Sequence, residues 1–208
     1  MEVKESILEF VSRPDYTPMR PAEVAEALHS LGREEVSMAL RELMAAGKIV
    51  EFKGDRVCLP RDADLIVGRM HFRQSGTALL FPDDGTEPLT ISAEDTGVAF
   101  HGDIVVARLS TQTSTKRFKM GPAGRAVRDD KERTARVIKI LRRARMKITG
   151  TLMRNKLLWH VIPDDPRIVR NILVADPKTS ELKPQPKADD KVAVELEEWK
   201  QRNLNPQG

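Results

Sequence analysis

Hydrophobic spacing divides the chain into a helical front and a β-rich remainder. In residues 3–11, Val3, Ile7, Phe10 and Val11 recur at helical spacing, and Pro14 and Pro18 end that helix. A second helix is predicted to open at Pro21, a residue suited to the first helical position, with Glu23 in its first turn. Val24, Ala27 and Leu28 form its predicted apolar stripe. After a turn at Leu31–Gly32, a third helix runs from Arg33 to Ala45, burying Val36, Leu40 and Leu43, and Gly47 stops it. Two short runs, Lys48–Phe52 and Arg56–Leu59, flank Gly54–Asp55 as a hairpin. Three helices and a hairpin predict a winged helix-turn-helix over residues 1–60.

The period changes to two after Pro60–Asp64. LIVGRMHF, TALLF, PLTI and HGDIVVARL read as short strands over 65–73, 77–81, 88–92 and 103–109, separated by Gly, Pro and Asp turns. Ile104, Val106 and Arg108 fall on one face of the last, and Val105, Ala107 and Leu109 on the other. Gly68 relieves bending or permits a close approach in the first. ARVIKIL (135–141) supplies a fifth strand, and the set predicts a closed five-stranded barrel over 64–144.

The region 145–208 repeats the pattern: ITGTLMR with Gly150 placed like Gly68, then LLWHVIP, DDPRIVRNILV and a strand at Lys191–Leu196. Two tandem barrels are the expectation. The second lacks a fifth strand, so it is expected to be incomplete and the chain to be a piece of something longer.

Charge is distributed unevenly. Residues 110–147 carry thirteen basic and three acidic side chains, whereas residues 1–109 carry twelve basic and nineteen acidic ones. The long polar loop 110–132 contains Lys116, Arg117, Lys119, Arg125 and Arg128, which could meet successive phosphates. Arg142, Arg143, Arg145 and Lys147 would extend the track between the two β regions. Phe72 and Phe81 serve either as stacking platforms or as core, whereas Trp159 and Trp199 read as core or rim.

Other chemistry is thinly represented. His29, His71, His101 and His160 are scattered, and Cys58 is alone, so neither metal-ligand spacing nor a disulfide framework is present. There is no Gly-rich phosphate loop. The pairs Asp83–Asp84, Asp129–Asp130, Asp164–Asp165 and Asp189–Asp190 read as turn residues rather than a two-metal centre. No apolar run of spanning length and no basic signal region occurs, so a cytoplasmic chain without a membrane partner is expected.

The module order resembles the N-terminal region of bacterial ribonuclease R-like exoribonucleases of the RNase II/RNB family. VIPDDPRIVRNILV (161–174) is similar to the family's second cold-shock segment. AFHGDIVVARL (99–109) and ARVIKILRRA (135–144) resemble strands of its first, and DKVAVELEEWKQRNLNPQG (190–208) resembles the passage before the catalytic domain. GRMHFRQSGTALLF (68–81) covers the place of the cold-shock RNA-binding strands, but GTALLF and PLTI stand where the family has GFGFV and DIFI.

The resemblance implies an α+β multidomain fold, a winged helix-turn-helix followed by two tandem cold-shock-type OB β-barrels. It implies single-stranded or structured RNA as partner and processive 3′-to-5′ RNA hydrolysis by a missing C-terminal catalytic domain that needs Mg2+. No catalytic or metal-binding residue carries over, so this chain is expected to bind RNA and to be inactive alone. The alternatives are a protein-interaction or autoinhibitory module of the same enzyme, and a stand-alone winged-helix DNA-binding regulator. Glu34, Glu35 and Glu42 on the would-be reader helix argue against the last.

Overall fold

The computed structural model describes residues 3–52, 54–110, 133–156 and 158–208. Three helices lead: α1 (Val3–Val11), α2 (Pro21–Ala27) and α3 (Arg33–Ala45). Their apolar stripes meet in one cluster containing Ile7, Val11, Val24, Val36, Leu40 and Leu43. On α2 the buried partner of Val24 is Ala25, and the expected Ala27 faces solvent. The last turn of α2 reaches the cluster through Val24 and Ala25, and the expected Leu28, just past the helix, packs against it half-buried.

Helix α3 ends where the sequence indicates. Gly47 sits at φ +71°, and Lys48 N–H donates to the Leu43 carbonyl at 2.9 Å while Gly47 N–H donates to Met44 at 3.1 Å. This pairing satisfies the last carbonyls of the helix. Gly47 also packs on the next unit: a Cβ there would lie 2.6 Å from Leu141 Cδ1 and 2.8 Å from Val67 Cγ1.

The hairpin β1 (Val50–Phe52) and β2 (Arg56–Cys58) follows, with Asp55 and Gly54 at positive φ in its turn. Its Val50 and Cys58 join Leu65, Val67 and Val106 in a second cluster, so the hairpin is welded to the first large sheet. Burial pushes the Cys58 thiol pKa up, and Asp62 adds to that shift, so the thiol stays protonated and acts as a small apolar group.

The first large sheet contains β3 (Leu65–Phe72), β4 (Ala78–Pro82), β5 (Leu89–Ile91), β6 (Ile104–Leu109) and β7 (Ala135–Arg142), in the order β5-β4-β3-β6-β7. The second contains β8 (Lys147–Asn155), β9 (Leu158–Pro163), β10 (Ile172–Val174) and β11 (Lys191–Glu195), in the order β10-β9-β8-β11. All ladders are antiparallel. Four strands of the first sheet therefore recur, in the same order, in the second.

The repeat extends to single residues. Gly68 lies opposite Pro82, and Gly150 lies opposite Pro163. A Cβ on Gly68 would collide with the Phe81 carbonyl, and one on Gly150 with the Ile162 carbonyl. Each glycine lets the neighbouring strand cross at close range before a proline ends it.

The expected tandem cold-shock-type OB barrels are not what forms. In the first sheet, edge strand β5 meets the residue just before β7 at one bridge, Thr90 beside Thr134, and among the described residues no ladder joins β5 to β7. β5 is three residues long and follows Pro88, which has no N–H to donate. β7 runs its length against β6 through two register shifts. The second sheet has four strands, and no ladder joins its edges β10 and β11. Among the described residues the fold is thus three α-helices and a hairpin followed by two antiparallel sheets, neither closed into a barrel.

Candidate functional site

Strand alternation decides which aromatic side chains are available. On β3, Met70 points into the core of the first sheet and Phe72 packs against that core, while Arg69 and His71 face solvent. On β4, Ala78 and Leu80 are buried and Phe81 faces out, 40% exposed. Phe72 is therefore a core residue and Phe81 a surface one.

His71 and Phe81 are diagonal neighbours across the β3–β4 ladder, because His71 is opposite Leu79 and Phe81 is opposite Arg69. Their ring centroids are 4.6 Å apart. His101 continues the row, its centroid 5.2 Å from that of His71 at 62°. Three rings thus form a file across the outer face of the first sheet, beside the exposed Arg69.

His101 is held by the turn that feeds β6. Gly102, at φ +89°, donates its N–H to the Met70 carbonyl at 2.7 Å, and the Phe72 N–H donates to His101 Nδ1 at 3.1 Å. On its other side, Arg167 Nη1 lies 2.8 Å from His101 Nε2. Burial first, then the positive charges of Arg167 and His71, push the His101 pKa below the ordinary imidazole value.

Arg167 is fixed by Asp165 in the loop between β9 and β10. Its Nε and Nη2 donate to the two carboxylate oxygens, each at 2.8 Å, and its backbone N–H donates to Oδ1 at 3.1 Å. These bonds hold the Asp165 pKa down to about 2. Arg145 Nη1 approaches the same carboxylate at 3.6 Å.

The turn has a buried hub. Asp103 is fully buried and accepts from Phe100 N–H at 2.8 Å, Arg143 Nη1 at 2.7 Å and Ala144 N–H at 2.8 Å. Arg143 also donates to the Val98 carbonyl at 2.7 Å and lies over the Phe100 ring. Phe100 stacks on Trp199 at 5.2 Å, and Arg170 covers the Trp199 ring at 5.6 Å. This alternation of arginine and aromatic rings ties the first sheet to the second. Beside it lies a cleft of about 250 Å3, lined in part by Phe72, Arg167, Arg170 and Arg202.

The sequence-derived candidates scatter over this frame. Lys116, Arg117, Lys119, Arg125 and Arg128 lie outside the described residues. Arg142 is exposed at the end of β7. Arg143 is turned inward to Asp103, and Lys147 stands 3.9 Å from Glu195 on the surface. Arg145 reaches the Asp165–Arg167 corner. His71, His101 and Arg167 were not anticipated. The alternation in GRMHFR placed Arg69 and His71 on one face, but nothing local places Arg167 beside His101. Trp159 packs into the core of the second sheet under Arg154.

Among the described residues, no group of three or more His, Cys, Asp and Glu side chains could hold a metal ion. No described helix is long and apolar enough to cross a membrane.

No family model matches the chain. Among curated proteins it is similar to ribonuclease R of Thermotoga maritima, 27% identical over 208 residues, covering 98% of this chain and 26% of that protein. It is similar also to ribonuclease R of Escherichia coli K12, 26% identical over 174 residues, covering 82% of this chain and 19% of that one. The chain thus spans about a quarter or less of the length of these relatives. Among solved structures it superposes on the apo form of Mycoplasma genitalium RNase R, with a TM-score of 0.52 at 18% identity, over 68% of this chain and 20% of that one. Yeast Ssd1, described as a pseudonuclease, gives 0.50 at 14% identity, over 71% of this chain and 22% of that one. The chain is a distant relative of ribonuclease R family proteins, and it shares their fold over about two thirds of its length.

Proposed function

We propose that this chain is an RNA-binding region of a ribonuclease R-type 3′-to-5′ exoribonuclease. The observation that carries the reading is the file Phe81–His71–His101 on the outer face of the first sheet, flanked by Arg69 and leading to Arg167. The exposed rings of Phe81 and His71, backed by the half-buried His101, offer faces to unpaired bases, and adjacent guanidiniums offer charge to the backbone. Distant kinship with ribonuclease R supports RNA over other polyanions. In this reading the chain supplies affinity for RNA. Hydrolysis, with the Mg2+ it is expected to need, is the work of residues other than those assembled here. The basic residues 116–128 add electrostatic attraction.

A duplex-DNA reader fits less well, because Glu34 and Glu35 are exposed on α3 and would face phosphates, while Glu42 pairs with Lys4 at 2.6 Å. The test is anisotropy binding of a single-stranded oligoribonucleotide and of duplex DNA over a salt series. Single-stranded RNA should bind more tightly, and Phe81→Ala should weaken it about tenfold, the loss of roughly one stacked base. Absence of RNA binding by the intact chain, or a Phe81→Ala variant that binds like its parent, overturns the proposal.

A further inference from the structure

The contacts of His101 leave one hydrogen bond without an acceptor. The Phe72 N–H donates to Nδ1, so the single proton of a neutral imidazole belongs on Nε2. Nε2 faces Arg167 Nη1 at 2.8 Å, and a guanidinium can only donate. Two donors therefore face each other with no acceptor between them. The opposite tautomer moves the conflict to the Phe72 amide, which would then face an N–H. In either tautomer the pair lacks an acceptor, and the solvent-facing side of the pair is Arg167, whose side chain is 37% exposed.

We infer that His101 Nε2–H, Arg167 and Arg145 form a binding site for a phosphate oxyanion at the junction of the two sheets. An oxyanion oxygen that enters as Arg167 Nη1 swings off Nε2 accepts from both His101 and Arg167 and relieves the conflict. Charge favours it. Asp165 is engaged on both oxygens by Arg167 and approached by Arg145, so two guanidiniums stand against one carboxylate. His71, from β3, is the remaining titratable group against His101. The bidentate bond to Asp165 keeps the guanidinium at this corner, so only a small local shift of Nη1 is needed to admit an oxygen.

The inference deepens the RNA-binding reading and rests on it for the source of the phosphate. A base stacked along Phe81 and His71 would bring its backbone toward this corner. The phosphate would then be an internal phosphodiester, whereas a free or terminal phosphate uses the same chemistry.

The test follows the ring nitrogens of His101 by long-range proton–nitrogen NMR of the full chain, above the imidazole titration range. Two probes are added separately: inorganic phosphate, and a single-stranded oligoribonucleotide without terminal phosphates. The free protein should show the Nε2-protonated tautomer, and the oligonucleotide should shift the Nε2 signal. Arg167→Gln should abolish that shift and lower oligonucleotide affinity about tenfold, the scale of one charged hydrogen bond. Arg145→Gln, at an exposed position, should lower affinity about threefold with the amide spectrum unchanged, and it serves if Arg167→Gln fails to fold. A shift with inorganic phosphate alone assigns the site to free or terminal phosphate, and it removes the RNA-binding proposal only if Phe81 is also silent toward the oligonucleotide. An oligonucleotide that perturbs Phe81 but leaves His101 unmoved, with phosphate also silent, overturns the site and leaves RNA binding standing.

Discussion

Arg143 Nη1 donates to the buried carboxylate of Asp103 at 2.7 Å, although forty residues separate them in the chain. The carboxylate is inaccessible and the arginine side chain is 19% exposed, so solvent can do little for the acid if the arginine is lost. Arg143→Met should destabilise the protein by about 3 kcal/mol, because it strands a buried charge. Arg142→Met, one residue earlier and exposed, should change stability by about 0.5 kcal/mol or less. Urea denaturation of the two variants checks the contrast. Equal midpoints would remove Asp103 as the hub of the junction.

The glycines of the repeated strands make a second prediction. Gly68→Ala and Gly150→Ala each force a methyl group against the backbone carbonyl of the crossing strand, Phe81 in one case and Ile162 in the other. Backbone cannot step aside as a flexible side chain can. Each substitution should cost about 2 kcal/mol through overpacking and displaced strands. Gly54→Ala, in open space but at φ +75°, meets only the left-handed backbone penalty and should cost about 1 kcal/mol. Thermal or urea unfolding of the three variants ranks them.

Phe72 and Phe81 separate stability from binding. Phe72 packs against the core of the first sheet, so Phe72→Ala should destabilise by about 3 kcal/mol. Phe81 stands on the surface, so Phe81→Ala should lose under about 1 kcal/mol of stability yet weaken RNA binding. Denaturation and anisotropy on the same two variants would show the crossing pattern. A Phe81→Ala variant that unfolds as readily as Phe72→Ala would contradict the assignment of faces.

The pH dependence has two steps of the same sign. His101 has a folded pKa below its ordinary 6.5, so the unfolded chain binds the proton more readily. Stability from this group is complete above 6.5, falls as pH drops below that value, and levels off below the lowered folded pKa. Asp165 has its folded pKa held at about 2 against an ordinary 3.8. Its contribution is complete above 3.8 and is lost as pH falls from there toward about 2. Denaturation midpoints over an acid series should show both declines. His101→Gln should remove the first and Asp165→Asn the second.

Local signals were legible wherever neighbours in sequence are neighbours in space. The period of α1 and α3, the left-handed stop at Gly47 and the alternation along β3 and β6 depend on backbone geometry and on residues a few positions away. The matching of Gly68 with Gly150 was readable for the same reason, since each marks one strand crossing in a repeated unit. The expectation of closed barrels did not hold. Strand count and spacing predicted it, but closure depends on whether two edges separated by dozens of residues can form a ladder, and β5 is too short and proline-led to do so.

The sequence by itself determined the elements, the faces of the strands and the concentration of positive charge near the middle of the chain. Only the tertiary structure decided which charges remain available, because long flexible side chains pair with whatever the fold brings near. Arg143, adjacent to the exposed Arg142, is drawn inward by Asp103, and Arg167 meets His101 across the junction of two sheets. Spacing along the chain cannot encode those meetings: they follow from the packing of whole sheets, which depends on many weak contacts at once.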